Sequence, residues 1–153
     1  MKKMLSMLLA LTMVLSVPFA ASAAAQTQEP RTPEVEILTG DPVDTGITPY
    51  TQTLQFNLKP GEYTLSKDEH YIEGEDTLLV INSATWDPPT ENIRIGFRDV
   101  KTGTGYYLAF TGGKVTGETM NSNGIPNGRY QIYVKNMGEE TVIGALNYDV
   151  DMK

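Results

Sequence analysis

From Tyr50 onward, apolar and polar residues alternate one by one in short runs, and turn residues interrupt the runs about every ten positions. Leu54, Phe56 and Leu58 alternate with Thr53, Gln55 and Asn57, and Lys59-Pro60-Gly61 ends the run. There proline presets one turn dihedral and glycine is free to take positive φ. Tyr63 to Leu65 and Tyr71-Ile72 flank a polar stretch, Ser66 to His70, which reads as a bulge or a loop. Thr77 to Ser83 contains Leu78-Leu79-Val80-Ile81, apolar on both faces, which predicts a central strand. Pro88-Pro89 stops any ladder, because neither residue has an N–H to give. Further strands are expected at Ile93 to Phe97, Tyr106 to Thr111, Lys114 to Thr119, Tyr130 to Val134 and Thr141 to Val150, with a loop at Asn121 to Gly128. Helical periodicity is missing throughout. The pattern predicts an all-β domain of about eight strands in two packed antiparallel sheets, a β-sandwich.

The first part of the chain is patterned differently. Met1-Lys2-Lys3 is a positive start, Met4 to Val17 is an apolar run, Pro18 breaks it, and Ala21-Ser22-Ala23 has the small-x-small form of a cleavage site. Residues 1–23 are therefore expected to be a secretory signal peptide, with a second cleavage position at Ala23-Ala24-Ala25. Residues 24–49 form an acidic stretch rich in proline and threonine, with Pro30, Pro33 and Pro42 among Glu29, Glu34, Glu36, Asp41 and Asp44. Few large apolar side chains are present to order it, so a flexible arm is expected, with Val35 to Leu38 able to add a short strand. The folded domain is expected to span residues 50–153.

Composition narrows the chemistry. The 153 residues have room for one domain. With no cysteine, disulfides, thiolate metal sites and cysteine nucleophiles are excluded. An export signal without cysteines points to bacterial rather than eukaryotic secretion. The net charge is −7, and loss of Lys2 and Lys3 with the leader makes it about −9. That balance opposes nucleic acid and anionic membrane surfaces, which need Lys and Arg to replace counterions.

The run Gly128-Arg129-Tyr130-Gln131-Ile132-Tyr133-Val134-Lys135-Asn136, then Gly138 and Val142 to Tyr148, resembles the closing strand pair of the pre-peptidase C-terminal domains of secreted bacterial proteases. Gly61-Glu62-Tyr63, Glu73 to Ile81 and Ile93 to Asp99 fall in order for the earlier strands. The chain also looks like short exported β-sandwich proteins of Gram-positive bacteria. The resemblance implies a jelly-roll-like sandwich that is not itself catalytic and binds or accompanies something outside the cell. The acidic pair that often precedes the family's middle strand is only partly present, as Glu91-Asn92, so the family's calcium site is matched only in part.

Catalytic side chains are scarce. His70 is the only histidine, and it is expected to be a solvated loop residue. Ser66, Ser83 and Ser122 lack a nucleophile-elbow motif around them. Glu73, Glu75 and Asp76 around Gly74 are the first candidates for a calcium site, with Asp41 and Asp44 next, although calcium takes about six to eight oxygen ligands and a solvated acidic turn is the simpler account. Trp86, the only tryptophan, stands before Asp87-Pro88-Pro89. If exposed, it could stack on a ligand together with Tyr106 or Tyr107; the plainer expectation is that it plugs one end of the core. Tyr130 and Tyr133 lie on opposite faces of one strand, which predicts one buried and one presented ring. Tyr148 could cap the same edge.

The function expected from these features is a secreted, non-catalytic β-sandwich that binds an extracellular glycan or protein. Two alternatives stand beside it: a self-assembling surface protein that adds Val35 to Leu38 to a neighbour's sheet, and a hydrolase using a carboxylate pair.

Overall fold

A computed structural model of the chain describes residues 29–45 and 52–152. The expected leader, its cleavage positions and the domain start at Tyr50 lie outside the described residues. The nine described strands are β1 (Glu34–Ile37), β2 (Thr53–Leu58), β3 (Tyr63–Ile72), β4 (Thr77–Asp87), β5 (Ile93–Asp99), β6 (Thr104–Phe110), β7 (Lys114–Asn121), β8 (Gly128–Asn136) and β9 (Val142–Met152). There is no helix among the described residues, and therefore none long and apolar enough to cross a membrane.

The strands form a five-stranded sheet in the order β1-β6-β5-β8-β3 and a four-stranded sheet in the order β2-β9-β4-β7. Every ladder is antiparallel. Strands β2 to β9 alone have the connectivity of a jelly roll: each link crosses between the sheets except the β5–β6 hairpin. The predicted sandwich is thus present, and β1 is a ninth strand added on the β6 edge.

Period-two alternation builds the core. Leu54, Phe56 and Leu58 of β2 meet Ile93, Ile95 and Phe97 of β5 and Ile132 and Val134 of β8 in one buried cluster. As expected, β4 is interior, between β9 and β7. Its Leu79 and Ile81 are fully buried, while Leu78 and Val80 on the other face are half-buried. The polar stretch Ser66 to His70 is a bulge inside β3, where the register against β8 shifts between Leu65 and Glu69. Ser66 fixes it: its hydroxyl accepts the Ile132 N–H and donates to the Asp68 carbonyl. The turn after β8 is held by the buried Asn136, whose amide donates to the Leu58 and Glu140 carbonyls and whose carbonyl accepts from the Gly138 N–H.

Residues 29–45 correct the expectation of a free arm, because they are laid against the sandwich. Arg31 forms a parallel bridge to Met120 on β7, with its N–H donating to the Thr119 carbonyl. β1 then pairs with β6 from Glu34 opposite Tyr107 to Ile37 opposite Thr104. The chain next crosses to the opposite side of the five-stranded sheet. There the Tyr63 hydroxyl donates to the Gly40 carbonyl, the Val43 N–H donates to the Tyr63 carbonyl, and Thr64 donates to the Val43 carbonyl. Finally Thr45 donates to the Gln55 carbonyl on β2. This segment touches both lateral seams between the sheets and acts as a strap. Acidic, proline-rich composition predicted a free arm because it counts apolar residues; the strap is held largely by polar contacts instead.

Candidate functional site

Three aromatic residues carried the expectation of a stacking surface, and the structure buries all three. Trp86 is 4% exposed and lies in the main core, its indole N–H donating to the Glu91 carbonyl at 2.7 Å. It is the plug of the sandwich end, and its ring is closed to a ligand. Tyr106 points inward on β6 and meets Tyr130 edge-on. Tyr107 points outward but is covered by the strap, with its hydroxyl donating to Glu34 and the Arg94 guanidinium over its ring at 4.1 Å. A plug was the plainer expectation for Trp86; presentation of Tyr106 and Tyr107 is corrected.

Tyr130 and Tyr133 do lie on opposite faces of β8, yet neither ring is presented, since both are fully buried. The inward Tyr130 belongs to the main core. The outward Tyr133 joins Leu38, Tyr63 and Tyr107 in a second apolar cluster beneath the strap. Period two assigns faces, but it does not say whether a further segment covers the outer one.

Glu73, Glu75 and Asp76 are exposed around the turn between β3 and β4. Gly74, with φ of 66°, donates its N–H to the Asn127 side chain and accepts from Ser122. This turn is held by hydrogen bonds to the β7–β8 loop. No group of three or more Asp, Glu or His side chains among the described residues converges on a metal position.

His70 is not a solvated loop residue. It sits in β3 opposite Tyr130, half-buried, edge-on to Tyr148 on β9. Its Nε2 is buried without a hydrogen-bond partner among the described residues. Burial lowers its pKa from the ordinary 6.5, and the nearby Asp68 partly opposes that shift. Two of the three serines named above hold backbone: Ser66 fixes the β3 bulge, and Ser122 joins the Thr77 N–H to the Gly74 carbonyl. Glu91 is also structural, its carboxylate accepting the backbone N–H groups of Glu139 and Glu140.

Two features were not anticipated. The first is a groove of about 740 Å³ between the strap and the outer surface of the four-stranded sheet. Val43, Asp44 and Thr45 of the strap form one wall. Gln55 and Asn57 on β2, Ile143 and Ala145 on β9 and Thr85 on β4 form the other wall and floor. The β2 amides face outward because Leu54, Phe56 and Leu58 take the inward positions. Lys59 and Glu62 stand at one end, with the Glu62 carboxylate accepting the Lys59 N–H. Ile143 is 59% exposed and offers an apolar contact beside these amides and hydroxyls. Gly144 lets the floor close tightly: a Cβ there would stand 2.2 Å from the Thr85 carbonyl oxygen and 2.5 Å from the Phe56 ring. In the sequence, Gln55 and Asn57 were visible only as the polar half of an alternating strand.

The second feature is a charged junction beneath the strap. The Glu36 carboxylate accepts from Arg94 at 2.8 Å, Lys135 at 2.7 Å and the Tyr133 hydroxyl at 2.8 Å. Burial first, and then the Glu36 charge, push the Tyr133 phenol far above its ordinary value, so it stays a proton donor. Gly105 makes the junction possible, since a Cβ there would meet the Tyr133 hydroxyl at 2.7 Å and Glu36 Cγ at 3.2 Å. The signal in the sequence was the spacing of Glu34, Glu36 and Leu38, which share one face of an extended segment.

Against known proteins, no family model, no curated sequence and no solved structure matches this chain.

Proposed function

We propose that this chain is an exported, non-catalytic binding module, and that the groove between the strap and the four-stranded sheet takes a neutral, hydroxyl-rich ligand of the glycan type. The observation that carries the reading is the groove itself, where outward amides (Gln55, Asn57) and hydroxyls (Thr85, Thr141) surround an exposed aliphatic side chain, Ile143. Amides and hydroxyls both donate and accept, matching sugar hydroxyls, while an aliphatic residue packs against the C–H face of a sugar ring. Three further features support the reading: the leader-like start, the resemblance to pre-peptidase C-terminal domains, and the structural use of Ser66, Ser122 and Glu91.

The test is a titration calorimetry panel of neutral and acidic oligosaccharides, run with the intact chain and with Gln55→Ala/Asn57→Ala. Binding of a neutral sugar that weakens about tenfold or more in the double variant, with no change in Tm, supports the proposal; two lost hydrogen bonds to a ligand amount to that order. Binding that is indifferent to both substitutions, or turnover of the sugar, contradicts it.

A further inference from the structure

The outer surface of the five-stranded sheet is a strand-acceptor site whose occupant is currently the chain's own strap. Three side chains at two-residue spacing are received separately. Glu34 meets the Tyr107 hydroxyl. Glu36 meets Arg94, Lys135 and the Tyr133 hydroxyl. Leu38, 8% exposed, enters the cluster of Tyr63, Tyr107 and Tyr133. The β6 edge supplies the backbone ladder, and Gly105 supplies the clearance. This is the pattern of strand addition: main-chain hydrogen bonds hold the segment, and pockets for alternate side chains read its sequence as Glu-x-Glu-x-Leu.

The same strand is weakly tied to the core. Its intervening side chains, Val35 and Ile37, are 61% and 67% exposed, because the four-stranded sheet ends at β7 and places no strand opposite β1. Releasing β1 therefore opens no hole in the main core. Opening β1 breaks the Glu36 junction and uncovers the second cluster, and both are restored when an equivalent strand docks. The contacts that receive Glu34 to Leu38 lie on β3, β5, β6, β8 and the β5–β6 turn, so they are indifferent to whether the strand arrives from the same chain or from another.

We infer that copies of this chain exchange the segment Glu34 to Leu38, each inserting its own into the acceptor site of a second copy. Exchange of an identical element keeps every contact of the closed form, which makes it an inexpensive route to a dimer. The committed partner is thus a second copy, whose segment is the one sequence known to satisfy all three pockets at once. The inference does not depend on the ligand proposed for the groove.

The test uses the full chain carrying Ile37→Cys and Thr104→Cys. These residues are directly opposite in the β1–β6 ladder, neither belongs to the main core, and the natural chain has no cysteine to interfere. Directly opposed positions of an antiparallel pair are within reach of a disulfide. Equal amounts of unlabelled and 15N-labelled protein are unfolded, mixed, refolded over a series of concentrations and oxidised. The peptide pair containing residues 37 and 104 is then weighed by mass spectrometry. Exchange predicts mixed-isotope pairs that rise with concentration toward half of the total. Same-isotope pairs alone at every concentration would overturn the inference, and so would failure to form the 37–104 link.

Discussion

Glu36 and Arg94 are 58 residues apart in sequence and lie on strands separated by β6, yet their side chains meet at 2.8 Å. The contact passes over Gly105, the β6 residue paired with Glu36. One missing side chain on the middle strand thus lets an N-terminal segment reach the centre of a sheet to which it contributes only an edge. Side-chain exposure is 9% for Glu36, 25% for Arg94 and 15% for Lys135, so the junction is shielded without being sealed.

Glu36→Ala is expected to loosen the strap while leaving the jelly roll folded. The two cations keep some access to water, so the cost should be about 1–3 kcal/mol, below that of breaking a fully buried pair. Amide hydrogen exchange should lose protection from Glu34 to Leu38 while Ile132 and Val134 keep theirs. Uniform loss across both groups would show that the strap is part of the cooperative core.

Trp86→Ala should destabilise the whole domain by about 3–5 kcal/mol, the usual range for truncating a large buried aromatic. Trp86→Phe keeps most of the packing and loses the hydrogen bond to Glu91, so its effect should be smaller. Equilibrium denaturation of both variants measures the order. An unchanged midpoint in Trp86→Ala would return the ring to the surface and reopen it as a ligand platform.

Gly96→Ala should be more damaging than its size suggests. The added Cβ would fall 1.8 Å from the Tyr106 carbonyl oxygen, a backbone atom that cannot turn aside. Gly144→Ala meets a similar obstacle at the Thr85 carbonyl. Overpacking of this kind costs on the order of 1–3 kcal/mol or more. Gly112→Ala places its Cβ in open space, and its φ of 90° is the only strain there, so it serves as the mild comparison. Thermal melts that rank Gly112→Ala as the most destabilised of the three would contradict the packing described.

His70 predicts a weakening of stability in mild acid. Its folded pKa lies below the ordinary 6.5, because burial against Tyr148 and Tyr130 disfavours the imidazolium more than Asp68 favours it. Above that value the side chain is neutral in both states and contributes no pH dependence. As the pH falls through 6.5 toward the lowered folded value, the unfolded chain takes up the proton more readily, and stability declines. Denaturation between pH 7.5 and roughly 5.5, a window above ordinary carboxylate titration, should show this slope and its loss in His70→Gln. The same slope in both proteins would assign it to other groups.

Alternation alone was enough to place β2, β5 and the interior β4, because inward Leu, Ile and Phe at every second position leave one way to pack. It also located the β3 irregularity at Ser66 to His70. What it could not supply was the fate of the outer faces. One ring of Tyr106 and Tyr107, and one of Tyr130 and Tyr133, was open to presentation on the pattern alone, because nothing in β6 or β8 announces that residues 34–43 lie over Tyr107 and Tyr133. Trp86 beside Pro88-Pro89 had the form of a loop mouth, and only the contact of its indole with Glu91 shows that the mouth is shut. The groove was illegible for a related reason: Gln55, Asn57, Thr85 and Ile143 come from three strands, and only the sheet order β2-β9-β4 sets them side by side.

The proposed ligand surface is the groove shared by the strap and strands β2, β9 and β4. The most direct measurement is a map of backbone amide chemical shifts during titration with the tightest neutral oligosaccharide from the panel. Shifts are expected to concentrate at Thr45, Gln55, Asn57, Thr85 and Ile143, with Trp86 and Tyr106 unmoved. Shifts centred on another face, or none at saturating sugar across the whole panel, would contradict it.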